Sequence, residues 1–232
     1  NPEILTKKTL TFISYNVWFE KVNLKNRLNS LFEIFEKYSP DFICLQEVTE
    51  KFLQELSQQN FIRENYCYSG NFKKGYDILI LSKFNTNFYN IKFDNSFMGR
   101  NLLIAEIVHT SDEKNFNNIL IATSHFESLN CANSRKEQLN TSFDLLNLSL
   151  SAFLMGDFNF DSTWENEECN INKNFKDCWI THRDKYNLND EDRYTMPKTS
   201  DFSAWRPDRI LYKNEDLFEL KKFEIIGKEP IK

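Results

Sequence analysis

Four apolar runs of strand length each end in a polar side chain, and a fifth begins with one. Residues 10–15 (L-T-F-I-S-Y) run into Asn16, and residues 42–45 into Gln46-Glu47. Residues 119–123 run into Ser124-His125, and residues 152–155 into Gly156-Asp157; Asp208 stands ahead of residues 210–212. β-rich composition and partial alternation make these runs strands. Between the first two lies residues 23–38, where Leu24, Leu28, Leu31, Phe32 and Phe35 recur at helical spacing behind Asn23 as a cap, with Pro40 as the stop. That is a β-α-β unit, and its parallel strands deliver Asn16 and Glu47 to one end of a sheet. In layered α/β proteins chemistry gathers on loops outside strand ends.

The turn L-M-G-D-F-N-F-D (154–161) is the most informative of these ends. Gly156 lets the chain leave the sheet at an angle a side chain disfavours, and Asp157 and Asn159 then project the same way. Asp157 can orient or deprotonate a water; the Asn159 amide can donate to a phosphate oxygen without adding charge. Taken alone, G-D-x-N reads equally well as an Asp/Asn turn. Glu47 follows an apolar strand directly, a costly place for a charge unless a cation or donors meet it, and Mg²⁺ suits it. Thr49 serves as the cap of a helix over residues 50–57, which frees Glu47 for other work.

The remaining segments are read in the same way. Residues 76–82 and 88–93 form a strand pair with Asn85 near the turn, and Met98-Gly99-Arg100-Asn101 opens a strand over 102–108. Arg100 can clamp a phosphate or sit in a surface ion pair. His109 is a loop residue past that strand, and His182 is exposed. His125 and Ser128 can reach a phosphoryl oxygen, and a helix follows from Ser134 with Leu139, Phe143 and Leu146 buried. Residues 165–174 form a surface loop, 175–179 a short helix, 184–203 a polar loop, and 220–226 a last strand. Trp205 and Arg206 offer an indole face and a guanidinium to a base or phosphate, or Arg206 joins a local Arg-Asp pair.

Composition sets the outer limits. At 232 residues one domain over 1–232 is expected, with 41% hydrophobic and 15% aromatic residues to build a large core. Net charge is −5 and the pI near 5.4, which excludes nucleic-acid binding by bulk positive charge but not a local basic groove around an acidic metal site. Five cysteines without C-x-x-C spacing suit reduced thiols, hence an intracellular location, nuclear or cytoplasmic. No apolar run reaches membrane-spanning length. The opening Asn-Pro-Glu, without Met, reads as a trimmed or excised domain.

In order and spacing, Tyr15-Asn16, Gln46-Glu47, Ser124-His125-Phe126-Glu127-Ser128, Gly156-Asp157-Phe158-Asn159 and Asp208-Arg209 resemble the endonuclease/exonuclease/phosphatase superfamily. Its members are metal-dependent phosphodiesterases built as a four-layer α/β sandwich, two packed mixed β-sheets flanked by helices. The motifs S-Y-N-V-W-F, L-Q-E-V-T, M-G-R-N-L-L-I-A-E, A-T-S-H-F-E-S followed by Arg135 and Gln138, and E-I-I-G-K-E are most similar to its tyrosyl-DNA phosphodiesterase branch. The resemblance implies that Glu47 binds Mg²⁺ or Mn²⁺ with Asn16 beside it, contacting metal or phosphate. Asp157 would activate water, Asn159, His125 and Ser128 would hold the phosphate, and Asp208 would orient a final histidine. Arg100, Trp205 and Arg206 would contact substrate. The implied substrate is a DNA 5′ end bearing a tyrosine or peptide, as left by topoisomerase II, and the implied role DNA repair by a monomer. A phenolate leaves more readily than an alkoxide, having the lower conjugate pKa. Alternatives are another nuclease, a deadenylase or a phosphoinositide phosphatase of the superfamily, or a non-catalytic binding homologue. The superfamily's closing Ser-Asp-His is not found after Ile226-Gly227, so the sequence is expected to lack its C-terminal strand and to turn over weakly or not at all.

Overall fold

The structure, a computed structural model, describes residues 4–5, 9–70, 75–112, 115–200, 203–214, 218–229 and 231. In chain order its elements are β1 (Ile4–Leu5), β2 (Phe12–Asn16), α1 (Leu24–Tyr38), β3 (Phe42–Thr49), α2 (Glu50–Ser57), α3 (Asn60–Asn65), β4 (Cys67–Tyr68), β5 (Tyr76–Ser82) and β6 (Asn87–Lys92). There follow β7 (Asn101–Asp112), β8 (Asn115–His125), α4 (Ala132–Leu146), β9 (Ser151–Asp157), α5 (Glu165–Glu168), β10 (Lys176–Asp177), α6 (Cys178–Tyr186), a 3₁₀ turn (Asp190–Arg193) and β11 (Asp208–Asn214). A seven-stranded sheet runs β1-β7-β8-β9-β11-β10 with β6 also on β7, and a four-stranded sheet runs β2-β3-β5-β4. Both are mixed: β2/β3 and β8/β9 are parallel, while β3/β5, β7/β8 and β9/β11 are antiparallel.

Period-two alternation sorts the strands' side chains into layers. Phe42 and Cys44 of β3 and Ile78 and Ile80 of β5 point inward, against Leu103, Ala105, Ile121, Phe153 and Met155 of the larger sheet. Their neighbours Ile43, Leu45, Leu79 and Leu81 point outward, under Leu28, Leu31, Phe32 and Phe35 of α1 and Phe52 and Leu56 of α2. On the far side Ala122 and Leu154 meet Leu139, Phe143 and Leu146 of α4. The result is the helix–sheet–sheet–helix sandwich expected from the sequence.

Thr49 caps α2, its hydroxyl accepting from the Phe52 N–H at 3.2 Å. Asn23, by contrast, is left-handed (φ 47°) and makes no side-chain cap to α1. The expected pair of 76–82 with 88–93 does not form: β5 lies in the smaller sheet against β3, and β6 makes a hairpin with β7. His109 lies inside β7 rather than past it. Residues 165–174 contain the short helix α5 with Glu167 buried against Arg135 at 2.6 Å, and 175–179 opens with β10, so that α6 carries the helix on to Tyr186. His182 is half-buried and packs on Tyr186 and Phe223. Residues 220–226 form no strand, because their apolar groups anchor to different layers, Phe223 on Trp179 and Ile226 on the smaller sheet's core. No helix among the described residues is long and apolar enough to cross a membrane.

Candidate active site

The strand ends meet at one edge of the sandwich. Asn16, His125 and Asp157 are the last residues of β2, β8 and β9, and Asp208 is the first of antiparallel β11. His125, Asp157 and Asp208 are consecutive partners across the larger sheet. Glu47 is turned out of β3 by a bulge: pairing with β5 slips between Leu45 and Val48, and Glu47 takes φ 59°. Gly156 allows β8 and β9 to close up, since with φ 137° a Cβ there would stand 2.0 Å from the Ser124 carbonyl oxygen.

Asn16 joins the two sheets. Its amide donates to Glu47 Oε1 at 2.9 Å and to Asp157 Oδ2 at 3.0 Å. The second oxygen of each carboxylate is also held: Glu47 Oε2 accepts from Phe19 N at 3.0 Å, and Asp157 Oδ1 from Asn159 N at 2.9 Å. Ligand atoms of Glu47, His125 and Asp157 lie within 4.8 Å of one another. Burial above all pushes the Asp157 carboxyl up from the ordinary range. Asp208 is pushed up to about 7, by burial first and then by the charge of Asp157. Its Oδ1 is sealed from solvent with no hydrogen-bond partner among the described residues.

His125 is neutral and its tautomer is fixed by Arg100. The guanidinium, which can only donate, lies 2.9 Å from Nδ1, so Nδ1 accepts and Nε2 carries the proton. Burial, then the Arg100 charge, lowers the imidazole pKa to about 3. Nε2–H stands 3.7 Å from Asp157 Oδ2, facing the site. Arg100 also donates to Ser128 Oγ at 2.8 Å, and Asn159 Nδ2 donates to Phe126 O at 2.9 Å and to Ser128 Oγ at 3.2 Å. Ser128 Oγ therefore accepts twice, and its own O–H is left to donate toward the site. The Asn159 amide, expected to meet phosphate itself, instead orients the hydroxyl that can.

Two expected substrate contacts are placed differently. Arg206 is 1% exposed and donates to both Asp177 oxygens, at 3.2 and 2.9 Å, with Arg209 bonded to the same carboxylate at 3.0 Å. It is part of a buried ion cluster and does not face solvent, which corrects the sequence expectation; a partner distant in sequence replaces the local pair. Trp205 stacks on the exposed Trp164, centroids 5.5 Å apart and 9° from parallel, three residues ahead of Asp208.

Sequence reasoning missed Glu127 and Tyr76. Glu127 accepts from Ser96 Oγ (2.7 Å), Phe97 N (3.0 Å), Met98 N (2.9 Å) and Gln138 Nε2 (2.8 Å), fastening the loop that carries Arg100. Those hydrogen bonds hold its carboxyl below the ordinary range despite burial. The signal was present in S-H-F-E-S, where an acid follows a strand without a nearby base. Tyr76 lines a crevice with Arg100 and His125, and its ring lies 5.5 Å from the guanidinium. Nothing local in its sequence marks it.

The profile of the Endonuclease/Exonuclease/phosphatase family matches residues 13–222. Tyrosyl-DNA phosphodiesterase 2 of Danio rerio is 30% identical over 134 residues, covering 56% of this chain and 34% of that protein, so the matched part spans about a third of the relative's length. A crystal structure of that enzyme humanized by 14 mutations superposes with a TM-score of 0.73 at 25% identity, over 88% of this chain and 83% of the other. The Danio rerio enzyme complexed with single-strand DNA product gives 0.74 at 24% identity, over 90% and 86%, and the Caenorhabditis elegans enzyme 0.73 at 20%, over 88% and 64%.

Proposed function

We propose that this chain, which belongs to the endonuclease/exonuclease/phosphatase family, hydrolyses the bond between a tyrosine and a 5′ DNA phosphate, aided by Mg²⁺. The observation that carries the reading is the pairing of two faces in one site. Glu47 and Asp157 form an acidic face, and the Nε2–H of His125 and the O–H of Ser128 form a donor face beside it. The likeness to the Danio rerio phosphodiesterase supports the choice of substrate.

The donor set fits a hard cation. Because Arg100 occupies Nδ1 and Nε2 is protonated, the imidazole offers no lone pair, and the ligand atoms left are carboxylate oxygens of Glu47 and Asp157; Asn16, expected beside the metal, turns its N–H rather than its Oδ1 toward them. A cation there would also offset the mutual repulsion of Glu47, Asp157 and Asp208 that raises the Asp208 pKa. Bound at Glu47, Mg²⁺ would draw charge from the phosphodiester and lessen its repulsion of an incoming nucleophile.

The chain's own groups supply the rest. Asp157, held through both oxygens and raised in basicity by burial, orients a water and accepts its proton. His125 and Ser128 donate to the phosphoryl oxygens as charge builds on them. The His125 proton is available throughout the neutral range because the ring does not titrate there. Arg100 and Asn159 hold both donors in place, and Arg100 adds positive charge nearby. In a cell the activity would clear topoisomerase II adducts from DNA ends, a nuclear repair role.

The test is cleavage of a 5′-phosphotyrosyl oligonucleotide with Mg²⁺ and with chelator, beside adenylate-tailed RNA and a phosphoinositide. Metal-dependent release of tyrosine, abolished by Asp157→Asn in a folded protein, is expected. Preferential cleavage of either comparison substrate, or cleavage surviving Asp157→Asn, would overturn the reading.

A further inference from the structure

The loop between β2 and α1 carries an arrangement that the reaction as described does not use. Arg27, in the first turn of α1, directs its guanidinium back into this loop and donates to four main-chain carbonyls. Nη1 meets Glu20 O at 2.7 Å and Val22 O at 2.9 Å; Nη2 meets Val17 O at 2.6 Å and also Trp18 O. The Trp18 ring lies over the same guanidinium at 4.6 Å. Trp18 itself takes φ 56°, a left-handed conformation that a bulky residue adopts only where its surroundings compel it.

The same loop turns its amides toward the acidic face. Trp18 N donates to Asn16 Oδ1 at 3.0 Å, and Phe19 N donates to Glu47 Oε2 at 3.0 Å. With its carbonyl oxygen held in this way, the Asn16 carboxamide has one orientation, in which Nδ2 points at Glu47 and Asp157. Arg27 thus reaches the two carboxylates only through the main chain of this loop and the hydrogen bonds of its two amides, and Arg27 bonds to neither carboxylate itself.

We propose that Arg27 is a positioning residue for the metal site: by clamping four carbonyls of residues 17–22 it fixes the two loop amides that orient Asn16 and Glu47. The inference rests on the reading of Glu47 as the cation ligand. Lysine is a poor substitute, because one ammonium cannot span carbonyls that a planar fork reaches from two nitrogens. Residues that orient metal ligands from behind typically change affinity about 10- to 100-fold when removed.

The test is Mn²⁺ binding to the purified chain, followed by the electron paramagnetic resonance signal of free Mn²⁺, so that no turnover is needed. Glu47→Gln should abolish binding. Arg27→Ala should weaken it about tenfold and Arg27→Lys several-fold, with methylguanidinium restoring affinity to Arg27→Ala. Ile34→Ala, which removes packing between α1 and the smaller sheet, should lower the melting temperature and leave Mn²⁺ affinity unchanged. Should Arg27→Ala not fold, Arg27→Lys carries the comparison. Wild-type affinity in the Arg27 variants while Glu47→Gln loses binding would overturn the role of Arg27 alone. Equal losses in Ile34→Ala would overturn it too, reducing Arg27 to general stability. Undiminished binding by Glu47→Gln would overturn the metal reading itself, and the inference with it.

Discussion

Replacing Asp208 by Asn is expected to stabilise the metal-free protein at pH 8 and to do nothing at pH 4. The carboxyl titrates near 7 in the fold, against 3.8 ordinarily, because burial and the neighbouring Asp157 charge disfavour its anion. A raised acid pKa means that the folded state holds the proton more tightly than the unfolded one, so stability falls as pH rises from about 4 to about 7. At ~1.4 kcal/mol per pH unit the whole window corresponds to a ceiling of about 4 kcal/mol. We expect ~2 kcal/mol, since Asp157 shares the titration. Asn keeps the shape and cannot ionise, so its advantage over Asp should grow across that window. His125 acts with the opposite sign: its lowered pKa gives stability that is lost as pH falls from 6.5 toward about 3. In wild type the two oppose each other between pH 4 and 6.5, and Asp208→Asn should leave the acid-side loss exposed. Urea denaturation with chelator at pH 4, 6 and 8 measures all of this. A variant no more stable than wild type at pH 8, or one with the same advantage at pH 4, would refute the reasoning.

Two further outcomes follow from the geometry. In ¹⁵N-resolved NMR, His125 should show the Nε2–H tautomer and remain neutral down to pH 4.5; a ring titrating between 6 and 7 would contradict the Arg100 contact. Gly156→Ala should cost at least ~3 kcal/mol in chemical denaturation, because its Cβ meets a main-chain oxygen that can retreat only by parting β8 from β9; a loss under ~1 kcal/mol would show that the strands tolerate it.

What could be read from the sequence is what depends on short-range pattern. The polar ends of β2, β3, β8 and β9 were legible because a carboxylate, carboxamide or imidazole directly after a buried run is costly without a partner, and the β-α-β spacing of 10–47 gave β2 and β3 a common direction. What failed depends on partners distant in the chain. Neither the continuous apolar run of β5 nor the mixed pattern of β6 names a partner strand, and it is the turn closed by Phe93 N to Arg100 O at 3.2 Å that gives β6 to β7. Arg206 looked available to substrate or to a local acid because Asp177, its acceptor, lies 29 residues away in the chain, on β10. Residues 220–226 have the composition of a strand, yet composition does not reveal whether an edge is open to them. The bulge that turns Glu47 outward leaves no local trace either.

The distance between Glu47 and Asp157 raises the same question of long-range placement, because the two acids stand on different sheets. The layer between the sheets is apolar, built from side chains such as Phe42, Ile80, Leu103 and Phe153. Hydrophobic contact is non-directional, so it holds the sheets together without fixing how far one has slid along the other. Two hydrogen-bonded crossings supply the missing direction: Gln46 Nε2 to Thr123 Oγ1 at 2.9 Å within the layer, and Asn16 Nδ2 to Asp157 Oδ2 at 3.0 Å at its edge. Gln46 and Thr123 are both fully buried, where a lost partner is costly, so a slide of one residue is penalised even though the apolar faces would tolerate it. The crossings lie beside the acids, Gln46 next to Glu47 and Asn16 bonded to Asp157 itself. Polar side chains therefore set the register at the point where the candidate site is assembled, and the apolar core supplies the stability that their burial consumes.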